Sequence, residues 1–249
     1  MMHVLLLGGT TEAGQMATAL VKAGIDAVYS YAGRTKSPVS QPLPTRVGGF
    51  GGVAGLIEYL RATNITHVID ATHPFAAGMS TNAFQACRDL ALPLIRLERP
   101  PWVAQNGDNW TLVARIEDIP AMLPDAPSRV FLAIGKQQIG LFANRPQHHY
   151  VLRLVDAPDM ALPLPNTTVL LARGPFTTQG DKALMQEHSI THIVAKNAGG
   201  TGAWAKLDAA RMLGLPVIMA DRPILPGDTI AKDVAEVMTW LDHSADRGV

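Results

Sequence analysis

The residues able to do chemistry gather where short apolar runs break into glycine. Val4 to Leu7 pass directly into Gly8-Gly9-Thr10-Thr11-Glu12-Ala13-Gly14, and bare backbone N–H groups at the mouth of a following helix can hold a phosphate. Thr10 and Ala13 occupy the second and third glycine positions of the G-x-G-x-x-G fingerprint, so the stretch reads as a nucleotide loop or as a capped strand-to-helix turn. The next apolar run ends in Gly33-Arg34-Thr35. NAD enzymes usually place an acid there on the ribose hydroxyls, whereas an arginine can pair with a 2′-phosphate. A charge-assisted contact of roughly 1.5–3 kcal/mol would favour NADPH over NADH. The plainer alternative for Arg34 is a solvated surface residue.

Two further loops complete this group. Gly48-Gly49-Phe50-Gly51-Gly52 precedes a helical stretch near 53–63 and is either a site of close ligand approach or a flexible loop. Asp70-Ala71-Thr72-His73-Pro74-Phe75 follows an apolar run near 66–71. Asp70 and His73 could move a proton or orient a nicotinamide, or Asp70 could cap the next helix. Later in the chain Gly135-Lys136, Arg173-Gly174 and Lys196-Asn197 stand at the ends of other apolar runs. Three cations at equivalent strand ends favour an anionic substrate over simple surface solubility. Glu98 and Arg99 form an ion pair or a substrate contact, and His148-His149 reads as surface. No group of residues has the spacing of a metal site.

Strands are expected near 3–8, 27–32, 66–71, 93–97, 130–134, 149–155, 168–172, 191–195 and 216–220. Helical segments alternate with them, including one near 13–24, a short one near 117–123 and one from about 230 to 243. This is the α/β pattern of parallel sheets covered on both faces. The chain also resembles itself. Residues 86–101 align without gaps on 209–224, Ile65-Thr66-His67-Val68-Ile69 is echoed by Ile190-Thr191-His192-Ile193-Val194, and Gly49 and Gly55 have partners in Gly174 and Gly180. Duplication therefore predicts two Rossmann-like lobes, residues 1–100 and 128–249, joined by a linker and crossover over 101–127, with a ligand cleft between them. Lobes this similar could exchange terminal strands, and the segments around Arg99-Pro100 and Arg222-Pro223 are where that would happen.

Composition narrows the classes. Lys plus Arg and Asp plus Glu both number 21 and are interspersed, so no nucleic-acid tail is indicated. Cys87 is the sole cysteine, which excludes a disulfide framework within one chain and a cysteine-rich metal site. The start lacks a signal-type pattern and no apolar stretch is long enough to span a bilayer. A cytoplasmic protein is expected.

Together GGTTEA, AGRT, RVGGFGG, DATHPFA, RLERPPW, RGPF, KNAGG and LGLPVIMADRP resemble, in order, the precorrin-6A reductase family of cobalamin biosynthesis. The resemblance implies an NADPH-dependent reductase of two Rossmann-like lobes that converts precorrin-6A to precorrin-6B by reducing one carbon–carbon double bond. It implies that Gly8, Gly9, Thr10, Thr11 and Glu12 hold pyrophosphate and that Arg34 and Thr35 hold the 2′-phosphate. Gly49, Phe50, Gly51, Thr72, His73, Pro74 and Phe75 would line the nicotinamide side. Lys136, Arg173, Lys196 and Asn197 would hold the acidic macrocycle. His73 and Lys196 are the candidate proton donors, with water as a third source. Two other readings stay open, a cobalt-precorrin-6A reductase and a non-catalytic NADP sensor.

Overall fold

The computed structural model describes residues 2–33 and 38–246. Arg34 and Thr35 lie outside them. The chain divides into two compact units, Met1–Pro100 with Ile224–Val249, and Pro101–Pro223.

The first unit is built on a six-stranded, all-parallel sheet of order β12-β5-β4-β1-β2-β3. Its strands are β1 (His3–Leu7), β2 (Asp26–Tyr31), β3 (Thr45–Val47), β4 (His67–Asp70), β5 (Leu94–Leu97) and β12 (Ile230–Ala231). Strand β1 is an unbroken apolar run because both of its faces are covered. Val4 and Leu6 pack with Ala13, Met16 and Leu20 of α1 (Thr11–Lys22) and with Val237 and Leu241 of α7 (Val234–Asp246). Leu5 and Leu7 turn the other way, onto Leu56 and Leu60 of α2 (Gly52–Ala62) and Ala83 and Cys87 of α3 (Ala77–Leu90). The order reverses at β1, the switch point at which doubly wound sheets bind ligands beyond their strand ends.

The second unit repeats the plan, with parallel order β6-β11-β10-β7-β8-β9. Its strands are β6 (Trp110–Val113), β7 (Arg129–Ala133), β8 (His149–Leu154), β9 (Thr167–Leu171), β10 (His192–Lys196) and β11 (Val217–Ala220). Phe131, Val151, Ile193 and Met219 face Met185 of α5 (Thr178–Glu187) and Leu207 of α6 (Ala205–Leu213). The likeness extends to single atoms. Thr66 Oγ1 accepts from the His3 N–H, donates to the His3 carbonyl and contacts His67 Nδ1. Thr191 Oγ1 makes the same three contacts with the Arg129 N–H, the Arg129 carbonyl and His192 Nδ1.

Several boundaries differ from those expected. Residues 101–127 are more than a linker: Trp110–Val113 form β6, paired with β11, and the short α4 (Ile119–Met122) follows a 3₁₀ turn. The C-terminal residues leave the second unit, because Ile230–Ala231 pair with β5 and α7 packs on α1. The helix expected from residue 230 accordingly starts at Val234. The sixth strand of each sheet thus comes from the other half of the sequence, and the chain changes units at Pro100-Pro101 and Pro223-Ile224. His148, expected at the surface, is fully buried against Tyr150, and its Nδ1 accepts the Ser128 N–H.

Candidate functional site

The loop after β1 is shaped by a residue the sequence did not single out. A Cβ on Gly8 would lie 2.1 Å from the Tyr29 ring, so only glycine fits over that buried phenol. The Tyr29 hydroxyl accepts the Gly9 N–H at 2.9 Å, and Gly9 has φ of +121°, a conformation suited to glycine. Burial pushes the Tyr29 phenol well above its ordinary pKa, so it stays neutral. The Gly8 N–H goes to the Ser30 carbonyl. Gly8 and Gly9 therefore shape the loop with their own N–H groups already engaged. Thr10 is the N-cap of α1, its Oγ1 accepting from the Ala13 N–H and donating to the Ala71 carbonyl at 2.8 Å. The first N–H groups of a helix have no acceptor within it, so those of Thr11 and Glu12 are donors that an anion can use.

The Thr10 to Ala71 bond joins this loop to the one after β4, which is its neighbour in the sheet. Buried Asp70 accepts from both the N–H and the hydroxyl of Thr72, at 3.1 and 2.7 Å. It builds the turn, whereas helix α3 starts later, at Ala77, without a side-chain cap. His73 is exposed and its Nδ1 accepts the Phe75 N–H at 3.2 Å, which leaves Nε2 as the protonated nitrogen of the neutral ring.

The glycine-rich segment follows β3, the edge strand beyond β2. Strand order therefore puts Gly49, Phe50 and Gly51 on the β2 side of β1, away from Thr72 to Phe75. A Cβ on Gly33 would stand 3.5 Å from the Gly48 Cα, so this segment packs close to the chain just past the end of β2. Arg46 holds it in place, donating to Ser30 Oγ and to the Gly48 and Gly49 carbonyls with its guanidinium 3.8 Å from the Phe50 ring centre.

In the second unit the strand-end cations take different environments. Lys136 and Arg173 are exposed at the ends of β7 and β9. Lys196 is half-buried at the end of β10, donates to Gln138 Oε1 at 2.9 Å, and is pulled down by burial to a pKa of about 8. Asn197, expected as a substrate contact, is 4 % exposed. Its Oδ1 accepts the Trp102 N–H at 2.7 Å and its Nδ2 donates to the Trp102 carbonyl at 3.1 Å, so the amide acts as a strand partner for the chain just past the crossing. Arg222 reinforces the same place by donating to the Asn197 and Ala198 carbonyls. The counterpart of the β1 loop, Gly135-Lys136, leads into 3₁₀ turns over Lys136–Asn144 instead of a capped α-helix. The aligned helix amides that suit a phosphate thus follow β1 and not β7.

Two ion pairs involve residues of the RLERPP stretch. Arg99 Nη1 meets Glu12 Oε2 at 2.5 Å, while the Arg96 guanidinium lies 2.9 Å from Glu98. Sequence reasoning had no signal for the first of these, since 87 residues separate the partners. Among the described residues there is no cluster of metal-ligating side chains and no helix long and apolar enough to cross a membrane.

Residues 3–242 match the model of a family described as precorrin-6x reductase CbiJ/CobK. The chain is 59 % identical to a precorrin-6A reductase of Rhodobacter capsulatus over the whole of both chains. It is 43 % identical to one of Mycobacterium tuberculosis, covering 97 % of this chain and 98 % of the relative. A cobalt-precorrin-6A reductase of Priestia megaterium is 28 % identical over 96 % of this chain and 97 % of its own. A solved structure described as CobK precorrin-6A reductase superposes with a TM-score of 0.94 at 58 % identity, covering 100 % of this chain and 98 % of that one. With a family model spanning both sheets and a full-length relative at this identity, the chain belongs to the precorrin-6x reductase family.

Proposed function

We propose that the protein is an NADPH-dependent precorrin-6A reductase of cobalamin biosynthesis. The observation that carries this reading is the turn after β1. Gly8 and Gly9 are moulded on Tyr29, and a capped twelve-residue helix presents its first amides beside the loop after β4. That arrangement fits a dinucleotide. The N–H groups of Thr11 and Glu12 would meet the pyrophosphate, Arg34 and Thr35 would take the 2′-phosphate, and Gly49 to Gly51 follow β3 on the β2 side of the sheet. Thr72, His73 and Pro74 would line the nicotinamide, as they follow β4 across the switch point.

When bound, NADPH supplies a hydride to one carbon of the reduced double bond. The protein holds the acidic macrocycle, with Lys136 and Arg173 taking peripheral carboxylates, and delivers a proton to the neighbouring carbon. Lys196 is the donor we assign, because a pKa near 8 keeps much of it protonated yet lets it release the proton. His73, with a proton on Nε2, is the second candidate. The metal-free substrate is preferred to the cobalt form because relatives at 59 % and 43 % identity are named precorrin-6A reductases. The assay is anaerobic incubation of purified protein with NADPH and either substrate. Consumption of NADPH with the spectral change of metal-free precorrin-6A is expected, and NADP binding without turnover of either macrocycle would favour a sensor.

A further inference from the structure

Glu12 occupies the second position of α1, among the amides proposed to meet the cofactor's pyrophosphate. An acid in the first turn complements the helix dipole. It also opposes a bound phosphate, because a carboxylate accepts hydrogen bonds and has none to give. Arg99 resolves this conflict from a distance in sequence, just past the end of β5, by placing its guanidinium on the Glu12 carboxylate. The side chains are only 16 % and 21 % exposed, so solvent screens their charges incompletely.

We propose that Arg99 is a charge-compensating residue of the cofactor site, held in place by Glu12, and that the pair sets how tightly the anionic cofactor binds. The inference rests on the reading that the loop after β1 holds NADPH. With Arg99 present, the first turn of α1 is electrically neutral toward an incoming phosphate and its amides act unopposed. Without Arg99, an uncompensated carboxylate stands beside those amides. Without Glu12, the guanidinium's positive charge near those amides is no longer offset and favours an incoming phosphate. Loss of the two partners therefore acts in opposite directions, which a pair that merely braced the loop would not do.

The test is calorimetric titration of the full-length protein with NADPH, comparing wild type with Arg99→Met, Arg99→Lys, Glu12→Gln and the Glu12→Gln/Arg99→Met double variant. Arg99→Met is expected to raise Kd about tenfold, or about 1.4 kcal/mol, with the loss shrinking as salt rises. Arg99→Lys restores most of the affinity, Glu12→Gln lowers Kd several-fold, and the double variant returns close to wild type. Should Arg99→Met fail to fold, Glu12→Gln decides alone, since a damaged fold cannot tighten binding. Equal weakening by both single changes, with no further loss in the double variant, overturns the proposal. If wild type fails to bind NADPH at all, the cofactor reading falls and takes this inference with it; if it binds but the opposite signs are missing, only this inference falls.

Discussion

Replacing Asn197 with leucine separates a brace from a binding residue. The side chain is 4 % exposed and satisfies both the backbone N–H and the backbone carbonyl of Trp102. Leucine fills a similar volume but orphans a buried donor and a buried acceptor. Each orphaned group costs about 1–3 kcal/mol, so the loss comes to roughly 2–6 kcal/mol, comparable to the whole stability of many domains. At about 2–4 °C per kcal/mol for a protein of this size class, even the low end lowers the melting temperature by about 4–8 °C. Asn197→Asp is a finer probe, since it keeps an acceptor for the Trp102 N–H and sets a carboxylate oxygen against the Trp102 carbonyl. The assay is thermal unfolding followed by tryptophan fluorescence, paired with the KM for the macrocycle at a temperature where each variant is folded. A leucine variant that melts like wild type while losing substrate affinity would refute the reasoning.

Arg34→Ala should raise the KM for NADPH at least tenfold and leave that for NADH within about twofold, in keeping with one lost charge-assisted contact; equal effects on both cofactors would remove Arg34 from the 2′-phosphate. If Lys196 gives the proton, kcat declines as pH rises through about 8, and Lys196→Met flattens that limb of the profile; an unchanged limb would pass the role to His73 or water. Burial lowers the pKa values of His67, His148 and His192. The folded protein therefore binds fewer protons than the unfolded chain at acid pH, and stability present above about 6.5 is lost as pH falls below it. Urea unfolding across that range checks this, and His148→Gln should blunt the loss. Gly55→Ala should fold poorly because its Cβ would lie 1.8 Å from the Phe50 carbonyl oxygen, and soluble yield is the readout.

Of the nine strands that were legible, Thr167–Leu171 shows only a β-branched and aliphatic composition with no buried residue, and the others are apolar runs with buried residues, Val4 to Leu7 and Ile193 to Ala195 being clear cases. The three that escaped lack that signature. Thr45–Val47, Trp110–Val113 and Ile230–Ala231 are short and lie at sheet edges, where one flank stays open and polar residues are tolerated. In the candidate site the glycine loops announced themselves through composition. Tyr29, Arg46 and Arg99 did not, since their importance comes from what they touch after folding. His148 misled for the same reason: a polar residue near a loop reads as exposed until its buried partners are known.

The crossed sixth strands give this protein an unusual birth order. A chain emerging from the ribosome completes the residues of β1 to β5 early, yet the strand that closes that sheet and the helix that packs on α1 are the last to be made. At roughly 5–20 residues per second, on the order of ten seconds pass during which β5 keeps an unpaired edge, while residues 101–223 have every strand they need. The half of the molecule that begins first in sequence is thus the half that finishes last.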